Sequence, residues 1–283
     1  MTITATQAPG PVSSTVDDTS NGAVGSTGNG AVSGTGGSTV DDTSNGAVGS
    51  TGNGAVSGTA NGPLTGTVHE NVHLLPQTRQ LRALHTVIRD RHAALDRFVT
   101  TSGRIIRQLI ETALDLLPYE PLDVQTPVGR TYHGLRPARP ICGVPVVRAG
   151  ESMEHELRVM SPGVRIGKIL IQRDKVTKLP RLYYSALPAD IDRHSVLLLD
   201  PMLATGGTAL AAVQVLLDHG VAEDDIVFVA LLAAPEGIAA VHARHPNLRI
   251  VTSAIEERLN ENAYMIPGIG DFGDRYFGTD VPR

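Results

Sequence analysis

A mainly parallel β-sheet with helices on both faces is the architecture the sequence predicts for its larger part, and three observations predict it. Short continuous apolar runs recur between residues 141 and 252, as strands buried on both faces require. Helix-period segments alternate with them. Three of the runs end in a charged residue: Arg148 after 141–147, Arg173 after 165–172 and Asp200 after 196–199. In sheets of this class ligands settle beyond the carboxyl ends of the strands, so these residues are the first candidates for chemistry.

In chain order, residues 77–90 carry Leu81, Leu84, Val87 and Ile88 at helical spacing, which predicts a helix. A second helix is predicted over 104–117 from Ile105, Ile106, Leu109, Ile110, Ala113, Leu114 and Leu117, with Pro118 as its stop. Strands are predicted at 141–147, 165–172, 181–184, 196–199, 226–232 and 249–252. Residues 208–219 read as a helix ending at Gly220. Gly163-Val-Arg-Ile-Gly-Lys168 is not a Walker loop: three residues separate its glycines, Ile169 replaces the Ser or Thr, and it reads as the start of a strand.

Residues 1–67 contain no Lys, Arg, Phe, Tyr or Trp, and Ser14 to Thr35 recurs letter for letter as Ser38 to Thr59, a 22-residue segment at a period of 24. With Val and Ala as almost the only apolar residues, two such copies offer no core; a duplicated, disordered Gly/Ser/Thr-rich tail is expected here, and one domain over 68–283. The tail holds four acids and no bases, so the remaining residues balance 24 Lys and Arg against 25 Asp and Glu. That near-neutral body lacks the basic face of a nucleic-acid binder. No tract approaches the roughly 18 apolar residues of a membrane span, and the amino terminus does not read as a secretory signal. The single cysteine, Cys142, excludes an internal disulfide and fits a cytoplasmic location. His69 with His73 and His242 with His245 read as solvent-exposed pairs without a metal.

The apolar run 196–199 leads into Asp200-Pro-Met-Leu-Ala-Thr-Gly-Gly-Thr208 and then an alanine-rich helical stretch. A glycine-rich turn between strand and helix gathers unpaired N–H groups and the positive end of a helix dipole on an anion. Thr205 and Thr208 add hydroxyls, and Asp200 can accept from sugar hydroxyls; its alternative reading is a helix-cap acid. The string resembles the 5-phosphoribosyl 1-pyrophosphate (PRPP) motif of type I phosphoribosyltransferases, and the Asp200-Pro201 form resembles that of the uracil phosphoribosyltransferases. Two further segments resemble the same family. Tyr264-Met-Ile-Pro-Gly-Ile-Gly-Asp-Phe-Gly-Asp-Arg-Tyr-Phe-Gly-Thr279 looks like its uracil-binding segment. Val146-Val-Arg-Ala-Gly-Glu-Ser-Met153 with Val164 to Asp174 looks like its pyrophosphate loop and following strand, the Glu-Ser-Met being similar to the eukaryotic-type branch. With Gln80-Leu-Arg-Ala and Thr86-Val-Ile-Arg-Asp90, the resemblance spans residues 73–280.

The resemblance implies the type I phosphoribosyltransferase fold with a small hood, and the conversion of uracil and PRPP to UMP and pyrophosphate in pyrimidine salvage. It implies PRPP binding by Arg148, Arg173, Asp200, Pro201, Met202, Leu203, Ala204, Thr205, Gly206, Gly207, Thr208 and Asp271. Uracil binding falls to Met265, Gly270, Asp271 and Phe272, with Arg148, Arg173, Asp200 and Asp271 as the catalytic set. Two guanidinium forks suit phosphate oxygens. Magnesium is expected to arrive with PRPP, held by phosphate oxygens, waters and one carboxylate, Asp271. Pro267, Gly268 and Gly270 bend the chain so that main-chain groups can face the acceptor-donor-acceptor edge of uracil and leave groups unpaired on cytosine. The resemblance implies an unusual peptide geometry in the loop at Ala149 and Gly150, and the sequence leaves open whether the Arg148–Ala149 bond is cis. GTP activation is implied through Arg104, although Leu95 stands at the position where the family has lysine. A homo-oligomer, dimer or tetramer, is implied as well. A PRPP- or UMP-binding regulator and a paralogue acting on another pyrimidine base stay open as alternatives.

Overall fold

Thr78 starts the first helix as its position suggests: the hydroxyl accepts the Leu81 N–H at 3.1 Å, satisfying one of the donors a helix leaves unpaired at its beginning. From there the order is β1 (Val72–Leu74), α1 (Arg79–Arg89), α2 (Leu95–Asp115), β2 (Tyr119–Gln125), β3 (Thr131–Pro137), β4 (Ile141–Val147), α3 (Glu151–Met160), β5 (Arg165–Ile166), β6 (Lys168–Arg173) and β7 (Pro180–Ala186). The second half runs β8 (Ser195–Leu199), β9 (Met202–Leu203), α4 (Gly207–Asp218), β10 (Ile226–Ala233), α5 (Pro235–His242), β11 (Arg249–Ile255), β12 (Arg258–Leu259), β13 (Met265–Ile266) and α6 (Phe272–Phe277). The computed structural model describes residues 70–173 and 180–279, and all of these lie in one compact unit, Gly62–Arg283. The tail expected over residues 1–67 lies outside the described residues.

The main sheet has the order β1-β11-β10-β8-β4-β6-β7, with β5 beside β4 and β9 beside β10. All its pairings are parallel except that of β6 with β7. Alternation along each strand sends side chains to opposite faces. Leu197, Leu199, Val227, Val229 and Val251 pack with α1, α2 and α3 on one side. Val196, Leu198, Ile226, Phe228 and Ile250 pack with α4 and α5 on the other. Every residue of β8 and β10 is buried, so these strands read as unbroken apolar runs because neither face meets water.

Four differences from the sequence-based expectations have physical causes. Helix α2 begins at Leu95, nine residues before the expected start. Thr101, Ser102 and Gly103, small and outside the apolar period, are buried where α3 comes close: a Cβ on Gly103 would lie 2.5 Å from Oε1 of Glu156. The expected strand 165–172 is split at Gly167 into β5 and β6. His242 and His245 are buried, not exposed: His242 Nε2 lies 3.0 Å from the Leu248 carbonyl and His245 Nδ1 lies 3.0 Å from Glu223. The β2–β3 hairpin was hidden because both of its faces are largely exposed and no periodic burial marks it.

Candidate active site

Three chain segments meet at the carboxyl ends of the central strands. The first follows β4. Gly150 is pressed so closely onto the end of β8 that a Cβ there would lie 2.2 Å from the Leu199 carbonyl oxygen, which fixes glycine at this position. The peptide between Val147 and Arg148 is cis, one bond before the Arg148–Ala149 bond that the sequence left open. The Arg148 guanidinium is half-exposed; Nη2 donates to Asp274 Oδ1 at 2.6 Å and Nη1 to Thr279 Oγ1 at 3.0 Å, with the Phe277 ring centroid 5.6 Å away. The Thr279 hydroxyl and then the Arg148 guanidinium hold the Asp274 carboxyl below the usual range. Arg173 ends β6, as expected, and its side chain lies outside the described residues.

The second segment is the turn from β8 into α4. The Asp200 N–H donates to Val229 at 3.2 Å, and Asp200 Oδ1 accepts from the Met202 N–H at 3.4 Å. Removal from water pushes its carboxyl up to about 7, the Met202 N–H opposing that rise. The Pro201 carbonyl accepts from both Leu231 and Leu232 at 3.0 Å, anchoring the turn to β10. Pro201 and Leu203 are buried, and the Leu203 side chain belongs to the core. Ala204, Thr205, Gly207 and Thr208 are partly exposed. Gly206, at φ 80°, is the N-cap of α4, and no side chain caps it. Asp200 is therefore not a helix cap.

The third segment runs from β13 into α6. The Ile266–Pro267 bond is cis, and Gly268 and Gly270 take φ of 67° and 77°. Asp271 is exposed and caps α6, Oδ1 accepting the Asp274 N–H at 2.9 Å. Phe272 is buried, its ring stacked on Tyr276 at 5.4 Å and tilted against Phe98 at 5.6 Å. Met265 is buried in the same core. Arg275 pins this segment to the end of α1, Nη1 donating to Ile88 and Ile269 and Nη2 to Asp90 at 2.6, 2.7 and 2.7 Å.

These segments enclose a cavity of about 440 Å³ lined by Ala149, Met202, Ala204, Ala263, Tyr264, Met265, Gly268, Ile269, Gly270, Asp271, Phe272 and Gly273. It thus joins the expected pyrophosphate loop, PRPP turn and base segment, including all four residues expected to bind uracil. Of the residues expected to bind PRPP only Met202, Ala204 and Asp271 line it; Arg148, Asp200, Pro201, Leu203 and residues 205–208 lie outside its lining, and Arg104 is exposed on α2, outside it too. A wider cleft of about 520 Å³ sits at the opposite ends of β4 and β5, where Arg136, Arg139 and Arg165 are each paired with an acid. Among the described residues no group of three or more His, Cys, Asp and Glu side chains forms a metal cluster. The donors still suit an ion that arrives on a phosphate: such an ion takes most of its oxygens from the phosphates and water, and Asp271 offers an exposed carboxylate with Oδ1 engaged by one N–H. Sequence reasoning missed Asp274, Arg275, Arg89 and Glu256. Glu256 had the same signal as Asp200, an acid just past an apolar strand.

The uracil phosphoribosyltransferase family model matches residues 75–279. Uracil phosphoribosyltransferase of Dictyostelium discoideum is 52% identical over 211 residues, covering 75% of this chain and 98% of that protein. Uracil phosphoribosyltransferase 1 of Schizosaccharomyces pombe is 50% identical over 211 residues, with 75% and 96% covered. The solved structure of the AQ2163 protein from Aquifex aeolicus superposes with a TM-score of 0.67 at 29% identity, covering 75% of this chain and 100% of that one.

Proposed function

We propose how this chain, which belongs to the uracil phosphoribosyltransferase family, divides the conversion of uracil and PRPP to UMP and pyrophosphate among its residues. The observation that carries the division is the single cavity bounded by Ala149, the Met202–Ala204 turn and the Met265–Phe272 segment. The bond from the anomeric carbon to pyrophosphate breaks while the bond to the uracil ring nitrogen forms, and the proton that nitrogen carried is released to the departing pyrophosphate or to water. Negative charge builds on the leaving oxygens, and Arg148 and Arg173 meet it with guanidinium forks. The N–H groups of Gly206, Gly207 and Thr208 with the Thr205 and Thr208 hydroxyls take the 5′-phosphate. Asp200 accepts from the ribose hydroxyls. Main-chain groups of 269–272 face the uracil edge, with Met265 and Phe272 forming its apolar wall. Magnesium, when bound with PRPP, neutralises pyrophosphate charge, and Asp271 is the carboxylate that would reach it.

Purified protein given PRPP, magnesium and either uracil, cytosine or orotate tests the reading: UMP and pyrophosphate from uracil alone support it, and no nucleotide from any base removes it.

Activation by GTP is assigned to Arg104, with Leu95 exposed at the first turn of α2 in place of a lysine. A severalfold rise in initial rate with GTP supports it, and a flat titration removes it. A homo-oligomer is part of the same reading. The β2–β3 hairpin exposes Leu122, Val124, Tyr132 and Leu135 on a two-stranded sheet, which is marginal alone in water and calls for cover. Replacing Tyr132 and Leu135 together with Glu is expected to lower the native mass by light scattering; unchanged mass in the variant contradicts this use of the hairpin. A cytoplasmic location fits the lone, buried thiol of Cys142. Among the described residues no helix is long and apolar enough to cross a membrane.

A further inference from the structure

An ion pair with a fully buried carboxylate and an arginine side chain 25% exposed stands against Gly268 of the base segment. Glu256 follows β11, and its side chain is 1% exposed. An ionised carboxylate in such a place is tolerated only when it is paired and its oxygens are hydrogen-bonded. Glu256 meets that demand with three donors: Arg89 Nη2 to Oε1 at 2.5 Å, Arg89 Nη1 to Oε2 at 3.0 Å and the Gly268 N–H to Oε2 at 2.7 Å. Arg89 Nη1 also donates to the Gly268 carbonyl at 3.1 Å. Both main-chain polar groups of Gly268 are therefore taken by this pair. One residue further along the chain, the Glu257 N–H donates to the Ile266 carbonyl at 2.9 Å.

Gly268 is in turn a wall of the cavity, next to Ile269 and Gly270. Only glycine fits there, since at φ 67° a Cβ would lie 2.3 Å from the Met265 carbonyl oxygen, and a glycine backbone depends on outside contacts to hold it in one conformation. One helical turn before Arg89, His85 is kept neutral, burial and the Arg89 charge pulling it down to about 4. Its Nε2 lies 3.1 Å from Ser253 Oγ, which donates to the Leu231 carbonyl at 2.5 Å. No second cation therefore competes for Glu256 from α1.

We propose that Arg89 and Glu256 are positioning residues for base selection: by gripping both main-chain groups of Gly268 they fix the 268–270 backbone against which the uracil edge is read, without touching the base. Stability alone does not explain such a pair, because a buried ion pair rarely stabilises more than apolar residues of the same volume. What it supplies is a fixed geometry, and a rigid set of donors and acceptors is what rejects a base with the wrong edge. The proposal rests on the assignment of residues 265–272 to the base and sharpens it.

The test uses the full-length protein and the variants Glu256→Gln, Arg89→Lys and Arg89→Met, each checked for folding by thermal melting. Rates are measured with uracil and PRPP varied separately, with cytosine as a competing acceptor, and PRPP binding by calorimetry. The expected result for Glu256→Gln and Arg89→Met is a rise in uracil KM of about ten- to a hundredfold, with PRPP affinity within about twofold of the parent and weaker discrimination against cytosine. Arg89→Lys, which keeps the charge and loses the fork, recovers part of the loss. A parallel rise in both KM values, or folded variants with unchanged uracil KM and selectivity, overturns the proposal. Amide exchange of Gly268 in the parent protein needs no variant: strong protection is expected, and exchange at the rate of an open loop overturns it. If the parent makes no UMP, the base-site reading itself fails; if the parent is active and the variants match it, only the positioning role fails.

Discussion

Asp200→Asn is expected to lower kcat/KM by about two to three orders of magnitude while making the ligand-free protein more stable at pH 8. Both effects come from one property of the site. Burial at the end of β8 pushes the Asp200 carboxyl up to about 7, whereas in the unfolded chain it titrates near 3.9. Below about pH 4 both states hold the proton and the native protein has its full stability. As pH rises towards 7 the unfolded chain gives up the proton and the native state keeps it, so stability falls; above 7 the native carboxylate is ionised at its desolvation cost. A shift of this size corresponds to at most about 4 kcal/mol. Asn carries no such slope, so denaturant melts of parent and variant should coincide below about pH 4 and diverge by a few kcal/mol at pH 8.

The ionised form is the one that ribose hydroxyls need, because only acceptors remain on it. PRPP binding should then release a proton below pH 7, seen as a dependence of the calorimetric heat on the ionisation enthalpy of the buffer. The parent's kcat/KM for PRPP should fall on the acid side of about 7, since that ratio reports groups of the free enzyme. A parent profile without an acid limb near 7, or a variant retaining full activity, contradicts this role for Asp200.

The second large effect is expected at Arg148. Arg148→Ala should raise the KM for PRPP and lower kcat by about a hundredfold or more, yet change the melting free energy by less than about 1 kcal/mol. The reason is that its present partner holds it weakly. Both members of the Arg148–Asp274 pair are substantially exposed, at 46% and 38% of their side chains, and exposed pairs gain little over their hydration. Exchanging one carboxylate for a pyrophosphate with several anionic oxygens is therefore downhill. Arg148→Lys keeps the charge but cannot present two parallel N–H groups, so it should recover only part of the rate. Asp274→Asn separates the roles: a loss of PRPP affinity there would mean that Asp274 orients Arg148 for the substrate, and a gain that it competes with it. Steady-state kinetics and calorimetry with PRPP distinguish these, and an Arg148→Ala protein with unaltered PRPP kinetics contradicts the assignment.

How much was legible in the sequence follows from where the burial lies. β4, β8, β10 and β11 were readable because continuous burial writes a continuous apolar run. The β2–β3 hairpin was not, because within this chain it has no buried face to leave a period. The nine-residue extension of α2 was hidden because Thr101, Ser102 and Gly103, small where α3 comes close, interrupt the run of large apolar residues. The buried His242 was misread because its partner, the Leu248 carbonyl, belongs to the turn beyond α5. In the site, Asp200 and the glycine turn were visible because one strand-turn-helix unit builds them. Asp274, Arg275, Arg89 and Glu256 were not, because each acts through a contact between distant parts of the chain, 126 residues for Arg148 with Asp274 and 167 for Arg89 with Glu256.

The central claim is that one cleft, built from the loop after β4, the turn after β8 and the segment from β13 to α6, joins uracil to PRPP. Its most direct measurement follows labelled uracil into nucleotide with purified protein, PRPP and magnesium, beside the Asp200→Asn variant and a chain lacking residues 1–67. The account predicts UMP with one equivalent of pyrophosphate from the parent and from the shortened chain, and near-complete loss in the Asp200→Asn variant. Binding of PRPP with no UMP from the parent, or undiminished turnover in the variant, would contradict it.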